Sequence, residues 1–214
     1  MLAGFSESLF DSPATAPDAD PQIAPLTGAT TRRELAHGAW VDLRPGWLTG
    51  ATPLFERLAA DVPWRAERVR MYQSTLAVPR LTAAYPADVA LPDPVLDRLR
   101  DQLNAHYALG ADEGFVSAGL CLYRDGRDSV AWHGDRIGRG DYQDTLIAIL
   151  SLGAPRTLAL RPRGGGSALR FTLGSGDLLV MGGSCQRTWD HAVPKAPTGS
   201  GPRISVQFRP SGVR

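Results

Sequence analysis

Cysteine is scarce in this chain. Cys121 and Cys185 are the two cysteines, and they form no CxxC pair and no Cys/His cluster. That scarcity excludes a disulfide framework and a zinc site of the usual spacing. No apolar run approaches the length that spans a membrane, and residues 1–20 lack the basic start and apolar centre of a secretory signal. We therefore expect a reduced, cytoplasmic protein that makes no use of a membrane.

Lysine is nearly absent as well. Of the 23 basic residues only Lys195 is a lysine, and the formal net charge is +1. A global basic field of the kind that attracts nucleic acids is therefore missing. The excess of arginine has two readings: a coding bias that also favours alanine, glycine and proline, or arginines that bind phosphates or carboxylates through two parallel hydrogen bonds.

The chain is long enough for one domain, and 43% of its residues are apolar. Four prolines between residues 12 and 27 predict a flexible arm over residues 1–30. Two helices are expected, from Thr52 to before Pro63 and from about Pro94 to Ala108, each with leucines at helical spacing. They place a helix-containing region at residues 31–112.

From residue 113 onward, short apolar runs alternate with Gly, Pro and Asp turns. Eight strands are predicted there: 115–124, 129–133, 145–152, 156–161, 168–173, 177–181, 188–193 and 203–209. Closely spaced strands without intervening helices are typical of an antiparallel sandwich or barrel. The expected fold class is mainly β with helices (α+β), with a jelly roll over residues 113–214 buttressed by the N-terminal helices.

Histidine, with four copies, supplies the first candidate site. His133 and Asp135 are two positions apart, so in an extended segment their side chains point to the same side. Such a pair by itself is often a surface accident. His191 follows another predicted strand and could add a third ligand. Two histidines and one carboxylate leave coordination positions open, which is the arrangement of a non-haem iron(II) oxygenase.

The C-terminal strand alternates without exception. Ile204, Val206 and Phe208 face one side, and Arg203, Ser205, Gln207 and Arg209 face the other. Either this is an edge strand with a wet polar face, or the polar face lines the interior of the barrel and an arginine receives a dicarboxylate. The two arginines lie about 20 Å apart along a strand, so both reach one small molecule only if their side chains lean inward or the strand bends.

Residues 120–209 resemble the catalytic core of AlkB-type nucleic-acid dealkylases. The matching segments, in the order of the family, are Leu122-Tyr123-Arg124, Asp128-Ser129-Val130, Trp132-His133-Gly134-Asp135, Leu150-Ser151-Leu152-Gly153, Gly176-Asp177-Leu178-Leu179-Val180-Met181, Trp189-Asp190-His191 and Arg203-x5-Arg209. Upstream, residues 78–85 resemble the substrate lid of the family, which makes residues 31–112 a nucleotide-recognition lid and its support.

The resemblance implies a double-stranded β-helix (jelly roll) that uses Fe(II), 2-oxoglutarate and O2. His133, Asp135 and His191 would ligate iron, Tyr123 and Arg203 would hold the distal carboxylate of 2-oxoglutarate, and Arg209 would approach its chelating end. The implied reaction removes methyl groups from bases such as 1-methyladenine and 3-methylcytosine in alkylated DNA, releasing formaldehyde, succinate and CO2. RNA is a second substrate class. The base must be flipped out or single-stranded.

Five positions depart from the family pattern. Cys121 and Ser205 stand where the family usually has asparagines of the cosubstrate pocket, and Gln207 stands where it usually has a threonine. A thiol is a weak donor. Arg136 and Ile137 follow the His-x-Asp motif, where acidic residues are common. Arg136 could instead contact the substrate backbone.

The base pocket is predicted from Tyr85, which could stack on a flipped base and is equally well explained as a core tyrosine. Two other functions stay open: a 2-oxoglutarate-dependent hydroxylase of a protein or small molecule, and a binding module without catalysis. The resemblance of residues 78–85 to a lid favours the dealkylase, and the complete ligand set argues against the binding module. With no long apolar stripe left over, we expect a monomer.

Overall fold

The structure is a computed structural model that describes residues 21–71, 74–110, 113–135 and 141–213, with side chains outside 67–78. Its strands are β1 (Gln22–Ile23), β2 (Thr31–Glu34), β3 (Ala39–Arg44), β4 (Leu48–Thr49), β5 (Arg65–Met71), β6 (Ser74–Tyr85), β7 (Phe115–Tyr123), β8 (Val130–His133), β9 (Ile147–Gly153), β10 (Arg156–Pro162), β11 (Leu169–Leu173), β12 (Leu178–Gly183), β13 (Trp189–Val193) and β14 (Arg203–Pro210). Its helices are α1 (Thr52–Asp61), α2 (Pro94–His106) and α3 (Cys185–Thr188), with a 3-10 turn at Ala36–Gly38.

Two antiparallel sheets form the body of the molecule. The larger has the order β2-β3-β12-β9-β14-β7-β6-β5, and the smaller has the order β11-β10-β13-β8. Strands β7 to β14 begin and end within two residues of the eight predicted strands. The predicted jelly roll with supporting helices is confirmed. Because β5 and β6 extend the larger sheet, the lid-like segment is continuous with the core.

The larger sheet has an apolar cluster on each face. Between the two sheets, β9 and β12 contribute Ile149 and Met181, and the smaller sheet contributes Leu160 and Phe171. On the other face, α1 and α2 pack their leucines against the sheet. Helix α2 begins where predicted, since the side chain of Asp93 accepts a hydrogen bond from Val95 N at 2.9 Å.

Two details differ from the sequence-based expectations. The arm is ordered over its last ten residues: β1 pairs with β4, and Leu26 is 2% exposed because it joins the core under the helices. Residues 1–20 lie outside the described residues. The sequence from Leu76 to Tyr85 predicts an extended segment that is broken by Pro79. The structure instead has one continuous strand there, β6, and the register of β5 shifts between Ala66 and Arg68, opposite the proline.

In the part of the chain that the structure describes, none of the helices has the length and apolar character needed to cross a membrane.

Candidate metal centre

The three predicted ligands lie together at one end of the smaller sheet. His133 is the last residue of β8 and is the direct cross-strand partner of His191 in β13. Asp135 follows two residues later. One ligand atom from each residue lies within 4.8 Å of the other two. The spacing of two residues and the pairing of β8 with β13 therefore bring the three ligands together.

Both imidazoles are in a state suited to metal binding. His191 is buried, and that burial, helped by the charge of His133, lowers its pKa to about 3, so the ring is neutral near pH 7. The Nδ1 atom of His133 lies 2.8 Å from the carbonyl oxygen of Ala131. If Nδ1 carries the proton and donates to that carbonyl, Nε2 keeps its lone pair for a metal.

Asp135 is held from two sides. Its backbone N–H donates to Oε1 of Gln186 at 3.0 Å, and Arg209 Nε lies 3.3 Å from its Oδ2. Burial alone would raise the pKa of Asp135, but the charges of Arg209 and the two histidines outweigh it and lower the pKa. The carboxylate is therefore ionised. Two imidazoles and one carboxylate fit Fe(II), with coordination positions left for further ligands.

The polar face of β14 is buried, as the interior alternative requires. β14 lies between β9 and β7, and Ile204, Val206 and Phe208 point into the core under the helices. On the opposite face Arg203 is the cross-strand partner of Tyr123, and Ser205 is the partner of Cys121. The edge-strand alternative is therefore wrong.

Arg203 is 1% exposed and has unused hydrogen-bonding capacity. Its Nε donates to Ser151 Oγ at 2.9 Å, but its Nη1 has no partner among the residues that the structure describes. Burial lowers the pKa of Arg203 and raises that of Tyr123. A buried guanidinium nitrogen without a partner is costly unless an anion completes the site. The pocket therefore fits the distal carboxylate of a dicarboxylate.

The departures from the family pattern bond with one another. Cys121 Sγ lies 3.8 Å from Oε1 of Gln207, and Gln207 Nε2 donates to the backbone and side-chain oxygens of Ser205 at 3.0 and 2.5 Å. These contacts form a polar row between the two arginines. The row replaces the usual asparagines without leaving the amide of Gln207 unpaired.

Arg209 leans toward the centre of the pocket. A Cβ built on Gly119 would collide with its Nη1, so the guanidinium lies over that glycine. Gly119 is the partner of Gln207, whereas Arg209 itself pairs with Ser117. The guanidinium of Arg209 therefore lies about two residues nearer to Arg203 than its own backbone position. This inward lean is one of the two ways in which both arginines could reach one small molecule.

One predicted substrate residue, Tyr85, is not at the site. Tyr85 is the partner of Ala118 and packs against the cluster under the helices, on the face of the sheet away from the ligands. Its stacking role is therefore corrected to a core role, because β6 places Thr82 and Ala84 on the inner face instead. Arg136 lies outside the described residues.

Three residues of this region were missed by the sequence reasoning. Arg80, on β6, has a buried Nε without a partner. Arg156 is 2% exposed, and its guanidinium carbon lies 5.4 Å from the ring centroid of Tyr123. Gln186 contacts Asp135 from α3. The alternation of β6 places Arg80 on the inner face and could have identified it. The contacts of Arg156 and Gln186 are with residues distant in the chain, and such contacts leave no signal in the sequence.

Comparisons with known proteins agree with this geometry. The family model of the 2OG-Fe(II) oxygenase superfamily matches residues 45–209. Alpha-ketoglutarate-dependent dioxygenase alkB homolog 3 of Bos taurus is 34% identical over 194 residues, covering 79% of this chain and 65% of that protein. DNA oxidative demethylase ALKBH2 of Arabidopsis thaliana is 29% identical over 192 residues, covering 72% and 60%.

Among solved structures, OsALKBH1 superposes with a TM-score of 0.56 at 14% identity, over 84% of this chain and 100% of that one, which supports the fold. The chain spans 60–65% of the length of these two curated relatives. The chain therefore belongs to the 2OG-Fe(II) oxygenase superfamily, with AlkB-type dioxygenases among its relatives.

Proposed function

We propose that this protein is an Fe(II)- and 2-oxoglutarate-dependent dioxygenase that removes methyl groups from N-methylated bases in DNA. The observation that supports it best is the ligand cluster of His133, Asp135 and His191 together with the inner face of β14, where Arg209 contacts Asp135 and Arg203 is a buried arginine whose Nη1 has no partner among the described residues. A metal centre and an anion pocket that share one interior are what this chemistry needs.

The bound iron would supply O2 activation. Overall, O2 and 2-oxoglutarate are consumed, and succinate, CO2, formaldehyde and the unmethylated base are formed. Hydroxylation of the N-methyl carbon gives a hemiaminal. Its hydroxyl group loses a proton as the C–N bond breaks, formaldehyde leaves, and the electron pair of that bond returns to the ring nitrogen, which carries no proton in the repaired adenine or cytosine.

The residues of the chain would bind and orient the reactants. Arg203 and Tyr123 would hold the distal carboxylate of 2-oxoglutarate at the closed end of the pocket. Arg209 would face the chelating end while keeping Asp135 ionised and in place. The guanidinium of Arg203 is shielded from water, and its attraction to a carboxylate is stronger there than it would be in water.

A nucleic-acid substrate is supported by the relatives, since ALKBH2 of Arabidopsis thaliana is a DNA oxidative demethylase. His133 is the most exposed of the three ligands, so the cluster opens on its side. A target base would have to leave its stack to reach it.

The test uses protein loaded with Fe(II) under anaerobic conditions. O2, 2-oxoglutarate and single-stranded oligonucleotides carrying 1-methyladenine or 3-methylcytosine are then added. Mass spectrometry is expected to show oligonucleotides that have lost the methyl group, with formaldehyde and succinate in equal amounts. His133→Ala should abolish both, and His106→Ala, a histidine on α2 outside the cluster, should not.

Succinate formation with every oligonucleotide unchanged would reject the nucleic-acid substrate and favour the hydroxylase of a protein or small molecule. Absence of 2-oxoglutarate turnover in the loaded protein would reject the dioxygenase altogether.

A further inference from the structure

Asp135 lies beyond the end of its strand. The pairing of β8 with β13 consists of His133 with His191 and Val130 with Val193, with an irregularity between them. Residues 134 and 135 have no strand structure. The ladder therefore fixes His133 but leaves the backbone of Asp135 without a strand partner. Asp135 is 5% exposed, so its N–H needs an acceptor from elsewhere.

Gln186 supplies that acceptor. It is 1% exposed, and its Oε1 accepts the N–H of Asp135 at 3.0 Å. Among the described residues, the acceptor within reach of its Nε2 is the sulfur of Met181, at 3.7 Å. Sulfur is a weak acceptor, so a methionine of similar volume would fill this space with a smaller desolvation cost. The hydrogen bond to Asp135 therefore explains why a glutamine, and not a methionine, is buried here.

The contact between Gln186 and Asp135 joins two segments that are distant in the chain. Gln186 is on α3, five residues before His191, while Asp135 follows His133 by two. One side chain thus joins the segment that carries the second histidine to the one that carries the carboxylate. Arg209 holds the carboxylate itself, through Oδ2.

We propose that Gln186 is a positioning residue that fixes Asp135 for metal binding and so raises the metal affinity of the site. The inference rests on the proposed function insofar as that function requires this metal centre. Partners behind a ligand commonly change metal affinity by about 10- to 100-fold when they are removed.

The experiment is a Co(II) titration of the metal-free protein by visible absorption, with the thermal unfolding of the same apo samples. Gln186→Met keeps the volume and removes the acceptor, and we expect Co(II) affinity to fall by about 10- to 100-fold. Gln186→Asn, one methylene shorter, should also bind weakly. Gln186→Glu keeps an acceptor and should bind close to wild type.

Gln102 provides the matched control. Its Oε1 accepts from Trp47 Nε1 at 2.6 Å and its Nε2 donates to Ala24 O at 3.2 Å, away from the ligands. Gln102→Met should lower the midpoint of apo unfolding and leave Co(II) affinity unchanged.

The proposal is wrong if Gln186→Met and Gln186→Asn bind Co(II) as the wild type does. It is also wrong if Gln186→Glu loses as much affinity as Gln186→Met, because the acceptor would then not be what matters. In both cases the wild type binds Co(II), His133→Ala does not, and the proposed function stands. A wild type that binds no Co(II) would reject the proposed function together with this inference.

Discussion

At the scale of single residues, Gly119 decides where Arg209 can go. Gly119 is not among the glycines with positive φ, so alanine is compatible with its backbone. The added methyl would collide with the flexible end of Arg209 and would lie 3.3 Å from Oε1 of Gln207. We expect Gly119→Ala to fold normally and to displace the guanidinium. A hydrogen bond to a charged group contributes about 1.5–3 kcal/mol, so 2-oxoglutarate affinity should fall about tenfold or more.

The measurement is 2-oxoglutarate binding by calorimetry in the presence of Mn(II), alongside urea unfolding. Gly110→Ala is the control, since a Cβ there meets nothing within 4 Å. Unchanged 2-oxoglutarate affinity in Gly119→Ala would show that Arg209 does not contact the cosubstrate.

Replacing Arg203 should have opposite effects on the apo protein and on the protein with 2-oxoglutarate and Mn(II) bound. Replacement of a buried charge by an apolar side chain is often neutral or stabilising by about 1–4 kcal/mol. Because Nη1 of Arg203 has no partner, Arg203→Met should leave the unfolding temperature of the apo protein unchanged or raised. The same variant should lose the rise in unfolding temperature that 2-oxoglutarate gives to the wild type with Mn(II).

Arg203→Lys separates charge from shape, since an ammonium cannot offer two parallel bonds. We expect it to retain a weak response to 2-oxoglutarate. A full thermal response in Arg203→Met would exclude Arg203 from the cosubstrate pocket.

Single residues also mark the limit of prediction from the sequence. The ligand set could be predicted, because His133 and Asp135 are close in sequence and the resemblance added His191. The face on which Tyr85 lies could not, since that depends on how β6 registers with β7. Gly119 gave no signal, because its contact with Arg209 joins residues 90 positions apart.

At the scale of elements, β14 shows why alternation alone left two readings. A polar face is compatible with solvent at an edge or with a cavity inside, and only the neighbours of the strand decide between them. Here β9 and β7 flank β14 on both sides, and the smaller sheet covers its polar face. The strands were predictable from local patterns, whereas their order in the sheet depends on contacts between distant segments.

Arg156 connects elements that carry the site. From the start of β10 it donates to the carbonyl oxygens of Asp125, Asp128 and Pro194 at 2.7–3.1 Å. Those carbonyls belong to the turn before β8 and to the end of β13. We expect Arg156→Met to lower the free energy of unfolding by roughly 1–3 kcal/mol, because the bond to Asp128 O is buried and a buried carbonyl left unpaired costs about that much.

Urea unfolding of the apo protein measures this loss. Arg127 also bonds to Asp125, but its side chain is 84% exposed, so Arg127→Met should change little. Equal losses in the free energy of unfolding for the two substitutions would show that Arg156 contributes no more to stability than an exposed arginine does.

At the scale of the whole molecule, the site lies where the two sheets meet. The smaller sheet supplies His133 and His191, and Arg209 from the larger sheet contacts Asp135. A bound metal would thus connect segments that the unfolded chain holds far apart. Ligands that bind only the folded state stabilise it by mass action.

Metal binding should therefore raise the unfolding temperature of the whole domain. At a concentration 100 times its Kd, a ligand contributes about 2.7 kcal/mol, which for a chain of this size corresponds to a rise of about 5–10 °C in Tm. We expect Mn(II) to raise the Tm of the apo protein by this amount and EDTA to reverse it. His191→Ala should show no rise, because its loss leaves two ligands, whereas His106→Ala should respond as the wild type does. A rise of equal size in His191→Ala would mean that the metal stabilises the protein from another site, and the cluster of His133, Asp135 and His191 would then have to be abandoned as the metal centre.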